Sequence, residues 1–324
     1  MPFIPLTCPQ CSAPLPRQAH WRTVTCPYCH TSVSRSEELV QAAWFREASQ
    51  RVLGTLDTPV HTAQVGVLRY GIVQPLGRGA NADVYLAQRI SALPERVVLK
   101  LARPDVSGSE AALAQAAQSL EALQHSDAAG APYFTQRLPQ PVVLGTARSN
   151  FLSDRPALVL RAPAGYWGSL DEVLRRYHAK GQALDARHAV WMWRRVLEVL
   201  AFVHDSGWVH QALLPENLLV HPGDHGVQII GWSRAVRAGT GAAARGIDLA
   251  QIAWSVRALL CGGNDPTATD LPAHVPVSLA QLLHQCADAR WCTQQGARAI
   301  DQAVRAVALQ TFGPPRFLHF DPPV

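Results

Sequence analysis

HDSGWVHQALLPENLLV, residues His204 to Val220, reads as the last turn of one helix, a loop and the first residues of a strand. The helix before it is long. Asp185 stands where it can cap the N-terminus, and Val190, Trp193, Val196, Leu197, Leu200 and Val203 recur at helical spacing, with Trp191 and Met192 adding apolar surface, so the helix is expected to be well buried. After it, Leu218 to Trp232 reads as a hairpin turning at Pro222 to Gly226. His221 and His225 are four apart, but Pro222 and Gly223 between them argue against a helical metal pair.

Upstream the pattern changes from helical to extended. Val67 to Pro75, Val84 to Gln88 and Arg96 to Leu101 read as strands, and Ser109 to His125 as an Ala- and Leu-rich helix. Val142 to Gly145 and Ala157 to Arg161 are short apolar strands, and Ser169 with Glu172 forms a capping box. Downstream, helices are expected over Asp248 to Leu260, Ser278 to Ala287 and Ala297 to Leu309. Strands first and helices second predict an α+β domain. At the N-terminal end, Ser36 to Leu53 has the periodicity of a helix carrying Trp44.

Composition sets limits on function. With 324 residues, two domains are expected, one of them large; 48% hydrophobic and 16% charged residues describe a globular chain. No apolar run reaches the roughly 18 residues of a membrane helix, and no signal peptide is visible, so a cytoplasmic protein without membrane contact is expected. The net charge of +5 is mild and not gathered into one run, as a dedicated nucleic-acid binder would have it. Of 29 basic residues only Lys100 and Lys180 are lysines.

Four of the seven cysteines cluster. Cys8-Pro-Gln-Cys11 and Cys26-Pro-Tyr-Cys29 are two knuckles separated by 14 residues. Each can point two thiolates at one ion, and together they complete a tetrahedral four-cysteine site for a structural Zn2+ with no open position for water. The segment resembles a zinc ribbon, with Ser12 and His30 where ribbons often carry glycine. Arg17, His20, Trp21, Arg22, Tyr28 and Arg35 give it basic and aromatic side chains, so a zinc-ribbon-led nucleic-acid-binding protein is one reading.

From about residue 65 the chain resembles the eukaryotic-type protein kinases. Gly77-Arg-Gly79-Ala-Asn-Ala-Asp-Val84 is similar to the glycine-rich loop over ATP phosphates, and Val97-Val-Leu-Lys100 to the strand lysine that contacts them. His210 falls at the catalytic-loop histidine, Asn217 at the metal-binding asparagine seven residues later, and Asp248 at the aspartate that braces the loop. The resemblance implies a bilobal fold and makes Gly77, Gly79, Lys100 and Asn217 the candidate nucleotide-binding residues. Glu110 and Glu121 are the candidate partners of Lys100.

The departures from that family are chemical. Ala212 stands where the catalytic aspartate would be, Leu214 where the loop lysine would be, and Gly231-Trp232-Ser233 where the metal-binding aspartate triplet would be. Only 14 residues separate Ser233 from Asp248, short for a substrate-docking loop. These departures imply a catalytically inactive pseudokinase: no enzyme, no catalytic residue, weak or absent ATP binding, and a scaffold for protein partners. The alternative is a weak or unconventional ATP-dependent phosphotransferase in which Glu216 or Asp224 binds the metal. The expected organisation is a ribbon over 1–35, a linker helix and connector over 36–64, a kinase-like domain over 65–312 with lobes meeting near 161–162, and a Pro-rich tail over 313–324.

Overall fold

The computed structural model describes residues 23–28, 32–34, 59, 61–91, 94–239, 243–262 and 270–322. The expected helix over Ser36 to Leu53 lies outside them, as do Cys8, Cys11 and Cys29. The described fold is α+β, and the chain divides into two compact units. The first combines residues 39–164 with 231–236; the second combines 1–38, 165–230 and 237–324.

The first unit is built on a closed antiparallel barrel. Its strands are β3 (Thr62–Val65), β4 (Leu68–Arg78), β5 (Ala82–Arg89), β6 (Arg96–Ala102), β7 (Pro141–Ser149) and β8 (Arg155–Arg161), in the order β3-β4-β5-β6-β8-β7. Closure comes from β3 pairing with β7, Ala63 opposite Ser149 and Val65 opposite Ala147. Alternation fills the interior: Val97, Leu99 and Leu101 of β6 meet Ala63, Val65, Tyr70 and Val159 in one core. Residues of β6 between them, Val98 and Lys100, therefore stand on the outer side. Helix α1 (Ser109–Gln124) packs against β6, β7 and β8 with Leu113, Ala116, Ala117, Leu120 and Leu123 buried. Beyond it lies the short α2 (Ala131–Phe134).

The sequence reading started its first strand at Val67. That residue is instead the tip of the β3–β4 turn, 92% exposed beside Gly66, whose φ of 59° supplies the left-handed corner.

The second unit is mainly helical. A three-stranded antiparallel sheet joins β9 (Gly168–Ser169), β10 (Leu218–His221) and β11 (Gly226–Ile229), and α3 (Leu170–Ala179) follows β9 directly. The expected cap forms, with Ser169 Oγ accepting from Glu172 N at 3.2 Å. Asp185 caps α4 (Ala186–Asp205) by accepting from Arg187 N at 2.8 Å. This helix buries Trp193, Val196, Leu197, Val199, Leu200 and Phe202 almost completely. It packs against α5 (Ala243–Cys261) and α7 (Ala289–Phe312), while α6 (Val277–Cys286) packs on α7. Helix α7 is broken at Gly296, whose φ of 74° and ψ of 165° are not helical. Strands β1 (Thr23–Thr25) and β2 (Ser32–Ser34) form a small hairpin, Thr25 opposite Ser32. Among the described residues no helix is long and apolar enough to cross a membrane.

Candidate active site

In the helical unit, the loop after α4 is fixed by one stripe of α5. Asp248, with no exposed surface, accepts from His204 Nε2 at 3.0 Å, His210 N at 2.8 Å and Gln211 N at 2.7 Å. One turn on, Gln251 Oε1 accepts from Leu213 N at 2.9 Å, and after another turn Ser255 Oγ donates to Leu213 O at 2.8 Å. Positions i, i+3 and i+7 share a helix face, so three side chains of α5 hold the backbone of residues 210–213. Asp248 was foreseen; Gln251 and Ser255 were not. Their signal was available as polar residues on the buried face of an otherwise apolar helix.

This bracing holds Gln211 at a φ of 62°, one of two non-glycine residues with positive φ among those described. Such a conformation costs on the order of 1–3 kcal/mol and persists only where neighbours over-determine it. His210 is fully buried. Its Nδ1 accepts from Ala212 N at 3.3 Å, so Nε2 carries the proton and donates to Ile230 O at 3.0 Å. Burial pushes its pKa down to about 4, and the neutral ring is a fixed part of the loop. Asn217 Nδ2 donates to Ala212 O at 2.9 Å and closes the loop from its other end, while Ile230 N donates to Asn217 O at 2.8 Å. The side-chain oxygen of Asn217 accepts no hydrogen bond among the described residues. Ala212 is buried, and Leu214 and Glu216 are exposed.

Within the barrel unit, Gly77, Gly79 and Lys100 occupy connected strands. Gly77 pairs with Val84, and Val84 with Lys100. At the tip Gly79 N donates to Ala82 O at 2.8 Å. Neither glycine has a positive φ, and a Cβ at Gly77 would meet nothing within 4 Å. The turn itself therefore does not require Gly77, whereas close approach of a ligand to the backbone would. Arg78 pairs with Asp105 at 2.9 Å and Asp83 at 3.4 Å, and Arg103 Nη1 donates to Gly79 O at 3.2 Å. Burial lowers the pKa of Lys100. It forms no ion pair among the described residues, and Glu110 and Glu121 of α1 are exposed and not paired with it. The α1 side chain that reaches the 231–236 segment is Gln115, whose Nε2 donates to Ala235 O at 2.6 Å. Gly231 takes a φ of 83° there, and Trp232 is buried in place of a metal-binding triplet's aromatic.

Of the four predicted zinc ligands, Cys26 is described. It is fully buried and directly follows β1, with Pro27 and Tyr28 in a turn after it. Among the described residues no group of three or more His, Cys, Asp or Glu side chains is arranged to hold a metal.

The model of the lipopolysaccharide kinase (Kdo/WaaP) family matches residues 110–271, half of the chain. That span includes His210, Asn217, Gly231 and Asp248 and stops short of the glycine-rich loop and Lys100. Among curated proteins, the serine/threonine-protein kinase pkn2 of Myxococcus xanthus is 27% identical over 163 residues. The match takes in 49% of this chain and 17% of that kinase, so the chain spans only a small part of this relative's length. Both comparisons point to a phosphotransferase and correct the expectation that the chain is no enzyme. The physical reason lies in how the reaction is catalysed. Phosphoryl transfer rests mainly on positioning and charge neutralisation, and a lost general base removes about 10² to 10⁴ of an acceleration that is commonly far larger.

Proposed function

The chain belongs to the lipopolysaccharide kinase (Kdo/WaaP) family, and on that premise we propose that it transfers the γ-phosphoryl group of ATP to an alcohol hydroxyl. The observation that carries the reading is the three-point bracing of residues 210–213 by Asp248, Gln251 and Ser255. A loop held in a strained, reproducible path by a buried carboxylate is what positioning catalysis requires.

In this reading Gly77 and Gly79 admit the phosphates close to the backbone, and Lys100 neutralises them. Its burial without a carboxylate partner leaves a polyphosphate as a favourable counter-charge. Asn217 offers an oxygen to a divalent cation, with the exposed Glu216 as the neighbouring carboxylate. Mg2+ suits this sparse set because it keeps several waters and binds through one or two side chains and the phosphates. Asp224, the other carboxylate considered from sequence, stands beyond the far end of β10, roughly 13 Å along the strand from Asn217. Gln211 is the polar side chain at the braced position that can orient an acceptor hydroxyl. Ala212 supplies no base, so the acceptor proton leaves to solvent or to the transferred phosphate.

The name of the family suggests a sugar hydroxyl of lipopolysaccharide as acceptor, and that of the curated relative a Ser or Thr hydroxyl. The shared chemistry is an aliphatic alcohol. The four cysteines Cys8, Cys11, Cys26 and Cys29 are proposed to hold a structural zinc, supported by their spacing and by the burial of Cys26.

The test is transfer of label from γ-labelled ATP with Mg2+, using lipopolysaccharide in one arm and a Ser/Thr peptide in the other. Wild type should label one acceptor, with Lys100→Ala and Glu216→Gln each at least about tenfold slower. Wild-type transfer no faster than Lys100→Ala in either arm would refute the proposal.

A further inference from the structure

Pro27 and Tyr28, which follow Cys26, do not stand free of the helical unit. Arg195 of α4, almost fully buried, donates from Nη2 to Pro27 O at 3.0 Å, and its guanidinium lies 4.9 Å from the centre of the Tyr28 ring. Glu198 pairs with the other end of the same guanidinium at 2.5 Å. The Tyr28 hydroxyl donates to Asp224 O. Its ring meets His225 edge-on at 5.5 Å and Phe317 of the C-terminal tail at 6.0 Å. His225 is itself stacked between Trp191, 4.3 Å away and 5° from parallel, and Phe317 at 4.2 Å. Pro27 and Tyr28 thus fill a receptor made by α4, the β10–β11 turn and the tail.

That receptor is joined to the loop described above. Asp224 and His225 form the turn of the β10–β11 hairpin, in which Val220 pairs with Val227 and Leu218 with Ile229. At the other end of the hairpin, Asn217 immediately precedes β10 and Ile230 immediately follows β11. Those two residues bond to each other, and Ile230 O receives the His210 proton. Securing the turn end adds a second hold on a hairpin whose β10 already pairs with β9, Leu219 opposite Ser169, and limits its opening from that end.

We propose that Pro27 and Tyr28, which follow the buried Cys26, are a plug of this chain's own helical unit, seated by the Tyr28 ring and shaped by metal at Cys26, that clamps the β10–β11 hairpin and so the loop carrying Asn217. The metal dependence rests on the zinc reading of the cysteines; the seating of the plug does not. Pro27 and Tyr28 are then part of the helical unit's own packing. Metal binding and folding are coupled at such knuckles, so loss of the ion would withdraw Pro27 and Tyr28 together.

The experiment uses the full chain as wild type, Tyr28→Phe and Tyr28→Ala, each with and without a strong zinc chelator. Zinc content, Tm and amide hydrogen exchange across 218–230 are measured. Wild type should carry about one zinc per chain. Chelation should lower Tm by roughly 5–10 °C and speed exchange across 218–230. Tyr28→Ala should keep its zinc, lose roughly 5 °C and show the fast exchange before chelation, with Tyr28→Phe between the two. Unchanged exchange and Tm in Tyr28→Ala would overturn the plug. If wild type holds no zinc and ignores the chelator while Tyr28→Ala still loosens the hairpin, the seating stands and the metal dependence falls with the zinc reading. No readout depends on phosphoryl transfer, so failure of that activity is a separate result.

Discussion

Replacing Asp248 by Asn changes one oxygen to an amide nitrogen and almost nothing in volume, so its cost measures the bracing of the loop. The carboxylate accepts from His204 and His210 N on Oδ2 and from Gln211 N on Oδ1, at 3.0, 2.8 and 2.7 Å, with no exposed surface. The best placement of the Asn amide keeps its oxygen at the Oδ2 position. Its NH2 then faces the Gln211 N–H, two donors opposed in a dry site. Leaving a buried donor unsatisfied costs about 1–3 kcal/mol. The two bonds retained fall from charge-assisted to neutral, losing about 1 kcal/mol each. The sum, about 3–5 kcal/mol, corresponds to a fall in Tm on the order of 10 °C for a unit of this size. Thermal unfolding followed by tryptophan emission reads the loss, and hydrogen exchange at the His210 and Gln211 amides localises it. A fall below about 3 °C with unchanged exchange at both amides would refute the reasoning, because the loop would then hold its path without the carboxylate.

Two further outcomes follow from buried groups. His210 has its pKa pushed down to about 4 from an ordinary 6.5 by burial, and His225 to about 3 by the same cause. Above pH 6.5 neither the folded nor the unfolded chain holds these protons. Between 6.5 and 4 the unfolded chain takes up the His210 proton and the folded chain does not, so stability falls as pH drops, by up to about 3 kcal/mol from His210 alone. Urea midpoints at pH 7, 5.5 and 4.5 should decrease in order; equal midpoints would contradict the neutral, buried ring. In the barrel unit, Arg155 donates to Ala102 O at 2.7 Å, Asp83 at 2.7 Å and Leu101 O at 3.2 Å. Arg155→Leu leaves Asp83 with the exposed Arg78 and removes a donor shared by two carbonyls, a loss of about 2–4 kcal/mol. Arg155→Lys should recover only part of it, since one ammonium cannot span the three acceptors. A Tm for Arg155→Leu equal to wild type would show the buried arginine to be idle.

How far the fold was legible depends on where each contact's partner lies. Helices α3 and α4 and the β10–β11 hairpin showed in the sequence because their caps and turn are local: Ser169, Asp185 and the Pro222–Gly226 turn all act within a few residues. Barrel closure did not show. It depends on β3 meeting β7 across more than 80 residues, Ala63 opposite Ser149, and neither strand's composition names the other. Val67 was misplaced because a β-branched residue signals strand, while the conformation of Gly66 decides the turn. At the site, His210, Asn217 and Asp248 were legible through spacing. Gln251 and Ser255 were not, because they bond to backbone, and a backbone carbonyl or N–H has no letter in the sequence. Gln115 escaped for the same reason, its partner being the carbonyl of Ala235.

That same fact bears on how Ala212 can stand in a phosphotransferase family. Asp248, Gln251 and Ser255 read the main chain of His210, Gln211 and Leu213, and Asn217 reads the carbonyl of Ala212. None of these bonds touches the side chain at 212 or 214. The hydrogen bonds that set the path of the loop are therefore available whatever the chemistry of those side chains, within the room that the buried position of Ala212 allows. A reading that judges the chain by the side chain at 212 alone measures one contribution, a proton acceptor worth about 10² to 10⁴ in rate. The strained Gln211 marks the contribution that remains: its conformation costs free energy, and Asp248 and Gln251 of α5 bond to its main chain while Ser255 holds Leu213 beside it. If the loop served only as a connection, relaxing residue 211 would be favourable. Gln211→Gly, which adopts a positive φ without strain, would then stabilise the chain with no change in transfer rate; in a positioning loop the same substitution should slow transfer while Tm holds or rises.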